Sequence, residues 1–160
     1  MAGSTSKKVV AVRFDREPLY GFVDPQSYLQ DSGVEILTSA GSVATVPYSD
    51  LKAVCFVRDF DKSAAWAPNR AFANRPKTEG LWLRLHFRDG DSLEGMVAND
   101  LMAIDGGGFV LTPPDPGFLN QRIYVPKPAL TDVKVLGVVN SPLRRAAKAK
   151  GSRDQLKMFD

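Results

Sequence analysis

Apolar and polar residues alternate along two stretches of the chain in the manner of half-buried β-strands. The stretch 81–88 reads LWLRLHFR, in which every second residue is apolar, and this period of two is that of a strand with one buried face. Val10, Val12 and Phe14 repeat the alternation near the N-terminus, and this repetition matches Phe14 with Phe87. Turn residues follow both stretches, DREP in the first and DGD in the second. The pattern predicts β-hairpins and leaves no room for a long helix.

The same order of motifs occurs twice, which predicts an internal duplication. Residues 8–58 and 81–138 each contain an alternating strand, a turn, an L-x-G segment, a strand that ends in Leu-Thr, and a Val-Pro pair. The glycines of the L-x-G segments, Gly21 and Gly95, lie 74 residues apart, and the two Val-Pro pairs lie 79 apart. Each copy fits five short strands into about fifty residues, which is typical of a small, strongly bent barrel.

The later strands of each copy are predicted from apolar segments that lie between turn residues. In the first copy they are Val34–Thr38, Ser42–Val46 and Leu51–Val57. In the second copy they are Phe109–Thr112, Arg122–Val125 and Leu130–Val138. A proline follows the fourth strand of each copy and ends it, because proline has no N–H to donate to a neighbouring strand.

A family resemblance accompanies this pattern. The segment Phe87–Gly95 reads F-x-D-G-x-x-L-x-G, and with the later Phe109–Thr112 it resembles the first half of the Sm-like fold, a small barrel of the SH3-like class. Residues 8–138 also resemble uncharacterised bacterial proteins that carry two such units. The resemblance implies an all-β fold of two tandem Sm-like or SH3-like barrels. The Arg-Gly pair by which Sm proteins bind RNA is absent from the corresponding turns, so the resemblance does not imply RNA binding at that site.

The predicted organisation has four parts. Residues 8–58 and 81–138 are the two barrel repeats, and 59–80 is an irregular connector whose Trp and Phe residues predict packing against a barrel. Residues 139–160 form a basic tail, with helix-forming residues in its first part.

The positive charge of the chain belongs to its tail. The formal net charge is +3, but residues 140–160 hold six basic and two acidic side chains, or +4, which leaves −1 for the rest. The cations considered for contact with nucleic-acid phosphates are Arg144, Arg145, Lys148, Lys150 and Arg153. The alternative is a solubilising terminus.

The last residues of the tail resemble a docking peptide. Gln155, Leu156, Met158 and Phe159 fit the key positions of the Q-L-x-L-F peptide by which bacterial replication and repair proteins bind the sliding clamp. Such a peptide buries its apolar side chains in a preformed groove. The alternative is that the same apolar residues fold back onto a barrel.

The composition excludes several classes of site. The chain has one cysteine, Cys55, and one histidine, His86, so it has neither a disulfide nor a His or Cys cluster for a metal. Both are interpreted as structural or surface residues. The neighbouring acids Asp89, Asp91 and Glu94 are not interpreted as metal ligands, because Asp-Gly-Asp is ordinary turn chemistry in a hairpin and Glu94 lies in the strand that follows. We therefore predict no catalytic residues, no metal and no cofactor.

Two arginines in the connector suggest one further site. Arg70 and Arg75 invite comparison with the arginines of cyclic-di-GMP-binding PilZ domains, although neither half of that motif matches fully. Arginine pairs suit phosphate groups, so an anion or nucleotide site is one hypothesis.

Taken together, these features favour a non-enzymatic binding or adaptor module that acts through protein–protein contacts. No signal peptide and no apolar run of membrane-spanning length is visible, so the expected compartment is the bacterial cytoplasm, without membrane contact. Nucleic acid or the sliding clamp, bound through the tail, is one alternative partner, and a small anion or nucleotide is another. A homo-oligomer is compatible with the repeat.

Overall fold

The protein is all-β, as predicted. The computed structural model describes residues 6–60, 70–100, 102, 107–114 and 120–140. Within these ranges the chain forms eleven strands, all in antiparallel pairs, and one short 3-10 turn. No helix in the described part has the length and apolar character needed to cross a membrane.

The first half of the chain contains six strands. They are β1 (Lys7–Arg13), β2 (Leu19–Val23), β3 (Leu29–Gln30), β4 (Gly33–Thr38), β5 (Val43–Val46) and β6 (Leu51–Val57). The strands predicted after the first hairpin are confirmed within one residue. The two-residue strand β3 was not predicted, because so short a segment has no period to detect.

The second half contains five strands. They are β7 (Gly80–Phe87), β8 (Ser92–Val97), β9 (Gly108–Leu111), β10 (Asn120–Pro126) and β11 (Leu130–Val139), with the 3-10 turn Lys127–Ala129 before β11. The alternation in the predicted strand 81–88 corresponds to one buried face, because Leu83, Leu85 and Phe87 are buried.

The strands form two sheets. The larger has the order β3-β4-β2-β1-β6-β10-β9, with β5 paired to β4, and the smaller has the order β11-β7-β8. Neither sheet closes into a barrel, and the strands of the second half are divided between the two sheets. Two separate closed barrels are therefore not observed, because β10 pairs on one side with β9 of its own half and on the other side with β6 of the first half.

The pairing scheme is nevertheless the same in both halves. The first half has the order β6-β1-β2-β4-β5. The second has β11-β7-β8, then a bridge between Met96 and Thr112 that leads to the β9-β10 pair. Val9 of β1 lies opposite Gly21 and Phe56, while Leu83 of β7 lies opposite Gly95 and Val135. The β1·β6 and β7·β11 pairs also share a register shift near the start of β6 and β11.

Two hydrophobic cores hold the sheets. One is formed by residues of the first half, among them Val9 and Ala11 of β1, together with Tyr124 of β10. The other lies between the two sheets and includes Val10 and Val12 of the same strand, together with most buried residues of the second half. Because neighbouring residues of a strand point to opposite faces, β1 is a wall shared by both cores.

The described end of the connector packs on the smaller sheet, as its aromatic residues predicted. Phe72 meets Trp82 edge to face at 6.1 Å between ring centroids. The buried Glu94 carboxylate accepts hydrogen bonds from Trp82 Nε1 at 3.1 Å, the Phe72 backbone N–H at 3.2 Å and an Arg84 guanidinium nitrogen at 3.2 Å. A buried carboxylate must be satisfied in this way, so Glu94 anchors the connector rather than a ligand.

Candidate binding groove

A groove crosses the seam where β9 and β10 of the second half meet the first half. It consists of three adjoining concavities of about 290, 480 and 640 Å³, and Leu29 lines all three. The side chains that recur in it or carry its chemistry are Lys7, Tyr28, Leu29, Phe56, Val110, Arg122, Tyr124 and Lys127. We call this surface the seam groove.

Two aliphatic side chains in the seam groove are exposed to solvent. Leu29 is 40% exposed and Val110 is 45% exposed, and both are among the most exposed large apolar residues of the described strands. They come from β3 and β9, strands far apart in the sequence. Exposed apolar side chains that line a concave surface are typical of binding sites.

Buried aromatic rings form the base of the groove. Tyr28 and Tyr124 are 7% and 4% exposed, and their ring centroids lie 6.2 Å apart in an edge-to-face contact. Tyr28 also meets Phe56 edge to face at 5.5 Å. Burial raises the pKa of Tyr28 to about 12, although the nearby positive charge of Arg122 opposes the rise. The rings are thus fixed by one another, which gives the groove a rigid base.

The charged side chains of the groove are mostly cationic. Lys7, Arg122 and Lys127 are exposed and line it, whereas Asp31 is the one acidic residue among the described residues of the lining. The Tyr48 hydroxyl donates to the Gln30 carbonyl oxygen at 2.6 Å and holds the loop beside Asp31. Burial and the nearby Asp31 carboxylate both raise the pKa of Tyr48. The surface thus favours a ligand that carries negative charge.

The acidic residues of the β7–β8 hairpin bind cations of the protein itself. Lys52 Nζ lies 2.7 Å from Asp89 Oδ2 and 3.0 Å from Asp91 Oδ2. Arg70 also pairs with the Asp91 carboxylate. No group of metal-ligating side chains occurs in the part of the chain that the structure describes, and Asp89 and Asp91 join the two halves.

Arg70 and Arg75 have separate acceptors. Arg70 binds Asp91, while an Arg75 guanidinium nitrogen donates to the Val138 carbonyl oxygen at 3.0 Å. An anion that used both arginines would compete with these contacts. The phosphate hypothesis for this pair remains a prediction.

The histidine and the cysteine lie in different environments. His86 is half-buried in β7 opposite Ser92 and Asp132. Cys55 is fully buried in β6, and this burial raises the pKa of its thiol to about 12. A thiol with so high a pKa is a poor nucleophile at neutral pH, in accord with its interpretation as structural.

The residues of the tail hypotheses lie outside the described ranges. They are Arg144, Arg145, Lys148, Lys150, Arg153, Gln155, Leu156, Met158 and Phe159. The nucleic-acid and sliding-clamp hypotheses therefore stay predictions.

Sequence reasoning did not single out the seam groove. The eight side chains named at the start come from five strands, the loop before β3 and the 3-10 turn, which only the fold brings together. The one available signal was Arg122, a charged residue at the start of the predicted strand Arg122–Val125, whose other residues are apolar.

Comparison with known proteins gives a family without an assigned activity. No curated protein and no solved structure shows a significant match to the chain. The model of a family of unknown function, DUF6982, matches residues 5–137. Because this match covers most of the sequence, the chain belongs to the DUF6982 family.

Proposed function

We propose that the chain is a tandem pair of Sm-like units that arose by duplication and that works as a non-enzymatic binding module in the bacterial cytoplasm. The equal strand order of the halves and their shared register shift support the duplication. Two glycines also support it, because each lies against the valine of the Val-Pro pair in its own half. A Cβ on Gly33 would lie 2.2 Å from the Val46 carbonyl oxygen, and a Cβ on Gly108 would lie 2.4 Å from the Val125 carbonyl oxygen.

The seam groove is the proposed binding surface, and its ligand is an extended protein segment that carries both acidic and apolar side chains. The observation that carries this proposal is the combination of exposed Leu29 and Val110 with the cations Lys7 and Arg122 in one concave surface. Apolar side chains of the segment cover the two aliphatic residues. Its carboxylates pair with the two cations, and Arg122 can make two parallel hydrogen bonds to one carboxylate.

The two buried tyrosines at the base of the groove favour a protein segment over a nucleic acid. Single-stranded nucleic acids bind by stacking bases on exposed ring faces beside a cationic groove. Tyr28 and Tyr124 are buried, and their rings contact each other. They support the groove and do not offer a stacking platform.

Fluorescence anisotropy tests the proposal with a short labelled peptide of alternating Glu and Leu residues. We expect saturable binding by the full chain, weakened about tenfold or more by Arg122→Glu and by Leu29→Asp, a loss of about 1.4 kcal/mol or more. Arg16→Glu is the matched control, because Arg16 is exposed and does not line the groove. A peptide of alternating Lys and Leu is the matched ligand control.

Three results would overturn the proposal. The first is no binding of the Glu–Leu peptide. The second is an equal loss on Arg16→Glu, which indicates unspecific charge attraction. The third is tighter binding of labelled oligothymidylate that Arg122→Glu abolishes, which makes the groove a nucleic-acid site. Circular dichroism of each variant verifies that its fold is retained.

The tail supplies the alternative function. Its cations and its clamp-like last residues would bind nucleic acid or the sliding clamp independently of the groove. A chain truncated after residue 140 separates the two, because it keeps the groove and lacks the tail.

A further inference from the structure

In the described ranges the two halves are joined by one strand pair, and this pair is not symmetric. Strand β10, the fourth of the second half's scheme, pairs with β6, the last of the first half. Arg122, Ile123 and Tyr124 lie opposite Phe56, Cys55 and Val54. A contact between two different surfaces leaves one copy of each surface unused, and repetition of the contact then gives rings or filaments.

The unused counterparts of these two strands are β5 and β11. In the matched scheme β5 takes the place of β10, and β11 takes that of β6. Among the described residues, β5 pairs only with β4, and β11 pairs only with β7. An unpaired strand edge presents N–H and C=O groups to another chain.

The register of the internal pair can be transferred to these edges. The spacing of 79 residues matches Val43 with Arg122 and Phe56 with Val135. Repetition of the internal contact therefore places Val43 of one molecule opposite Val135 of the next. Thr45 would lie opposite Val133 on the same face.

The exposure of the two valines agrees with this pairing. Val43 is 66% exposed and Val135 is 61% exposed, the highest values among the large apolar residues of the described strands. A directly opposed pair of β-branched side chains on neighbouring strands stabilises an antiparallel contact. The register thus pairs the two most solvent-exposed apolar residues of the described strands, and the pairing would remove both side chains from water.

We propose that a second copy of the chain binds head to tail, with its β5 paired antiparallel to β11 and with Val43 opposite Val135. This inference goes beyond the seam groove and depends only on the matching of the halves. The groove and the two edges do not share residues.

The residues on the other face of β11 should make the proposed contact between two molecules weaker than the β10–β6 contact within one chain. Internally, Ala53 and Cys55 of β6 are buried in the core between the sheets. The matching residues of β11 are Asp132 and Lys134, which are exposed. Charged residues on an edge strand limit its pairing, so we expect a reversible association that grows with protein concentration.

Sedimentation velocity of the full chain over a range of concentrations tests the inference. We expect wild-type chain to self-associate, and Val43→Lys and Val135→Lys each to stay monomeric. An equimolar mixture of the two variants should form a dimer and nothing larger, because each variant keeps the edge that the other has lost. Val110→Lys, an exposed valine of β9, is the matched control and should associate like wild type.

The milder Val43→Thr and Val135→Thr variants keep β-branched side chains and guard against loss of the fold. They should weaken the association without abolishing it. The inference is wrong if wild-type chain stays monomeric up to the highest concentration, if Val110→Lys is as damaging as the edge variants, or if the mixture stays monomeric. If the groove variants lose peptide binding but self-associate like wild type, this inference still stands, because the two surfaces are separate.

Discussion

Lys52 of β6 and Asp89 of the β7–β8 hairpin are joined by a hydrogen bond of 2.7 Å that links the two halves of the chain. The Lys52 side chain is only 9% exposed, and its ammonium group also lies 5.2 Å from the centre of the Phe87 ring. Asp91 supplies a second carboxylate at 3.0 Å. A nearly buried cation is tolerated because two carboxylates compensate its charge.

Lys52→Met should therefore lower the free energy of unfolding. The variant leaves Asp89 and Asp91 facing each other without their shared cation, and we expect a loss of about 1–3 kcal/mol. Urea denaturation followed by fluorescence measures it. Lys77→Met, at an exposed lysine, should change stability little. Equal losses in the two variants would show that the Lys52 contacts contribute nothing specific.

Acid should weaken the ion pair between Lys52 and Asp89 and so lower the free energy of unfolding. Partial burial alone would raise the pKa of Asp89, but hydrogen bonds from Lys52 and from the Asp91 backbone N–H outweigh it and lower the pKa. A carboxylate with a lowered folded-state pKa stabilises the fold above its unfolded pKa, near 4. This stabilisation is lost as the pH falls through the folded pKa. Asp89→Asn should consequently flatten the dependence of the unfolding free energy on pH below about 4.5, and an unchanged slope would contradict the assignment.

Close backbone contact should make Gly33 intolerant of a side chain. Its φ is +151°, and an added Cβ would lie 2.2 Å from the Val46 carbonyl oxygen. Gly33→Ala should cost about 3 kcal/mol or more, since both conformation and space oppose it. Gly41→Ala is the control: its φ is +90°, but nothing lies within 4 Å of the added Cβ. It should cost only about 1–2 kcal/mol. Thermal denaturation that ranks Gly41→Ala as the worse variant would refute this account.

The thiol of Cys55 should react only when the fold opens. It is fully buried and its pKa is about 12, so almost no thiolate is present or accessible at pH 8. A disulfide reagent such as Ellman's reagent should label it at the rate of unfolding in native buffer and at once in guanidinium chloride. Fast labelling of the folded chain would show that β6 is accessible.

Local patterns predicted the strands well, but they did not predict how the strands share cores. The alternation around Val10, Val12 and Phe14 suggested a match of Phe14 with Phe87. The strand registers instead match Phe87 with Arg13. In the first half Leu51 lies opposite Arg13, and in the second half the equivalent residue, Leu130, lies opposite Phe87. Both faces of β1 are apolar, so the sequence could not indicate which face belonged to which core.

The seam groove shows a different limit of prediction. Leu29 and Val110 are unremarkable in the sequence, and they become a surface only because β10 pairs with β6 across the halves. Such a long-range pair leaves no periodic signal in either strand. Arg70 and Arg75, which did attract attention, each have an acceptor within the protein.

The shared wall formed by β1 gives the two halves structural roles that cannot be exchanged. Val10 and Val12 on its outer face are covered by the second half, whereas the matching positions of β7 hold Arg84 and His86. A fragment of the first half alone would expose a sheet of valines to water. If β7 took the place of β1 beneath this cover, an arginine and a histidine would be buried there instead. The two halves thus form one cooperative folding unit, in which the first half needs a cover for its apolar face and the second half provides it.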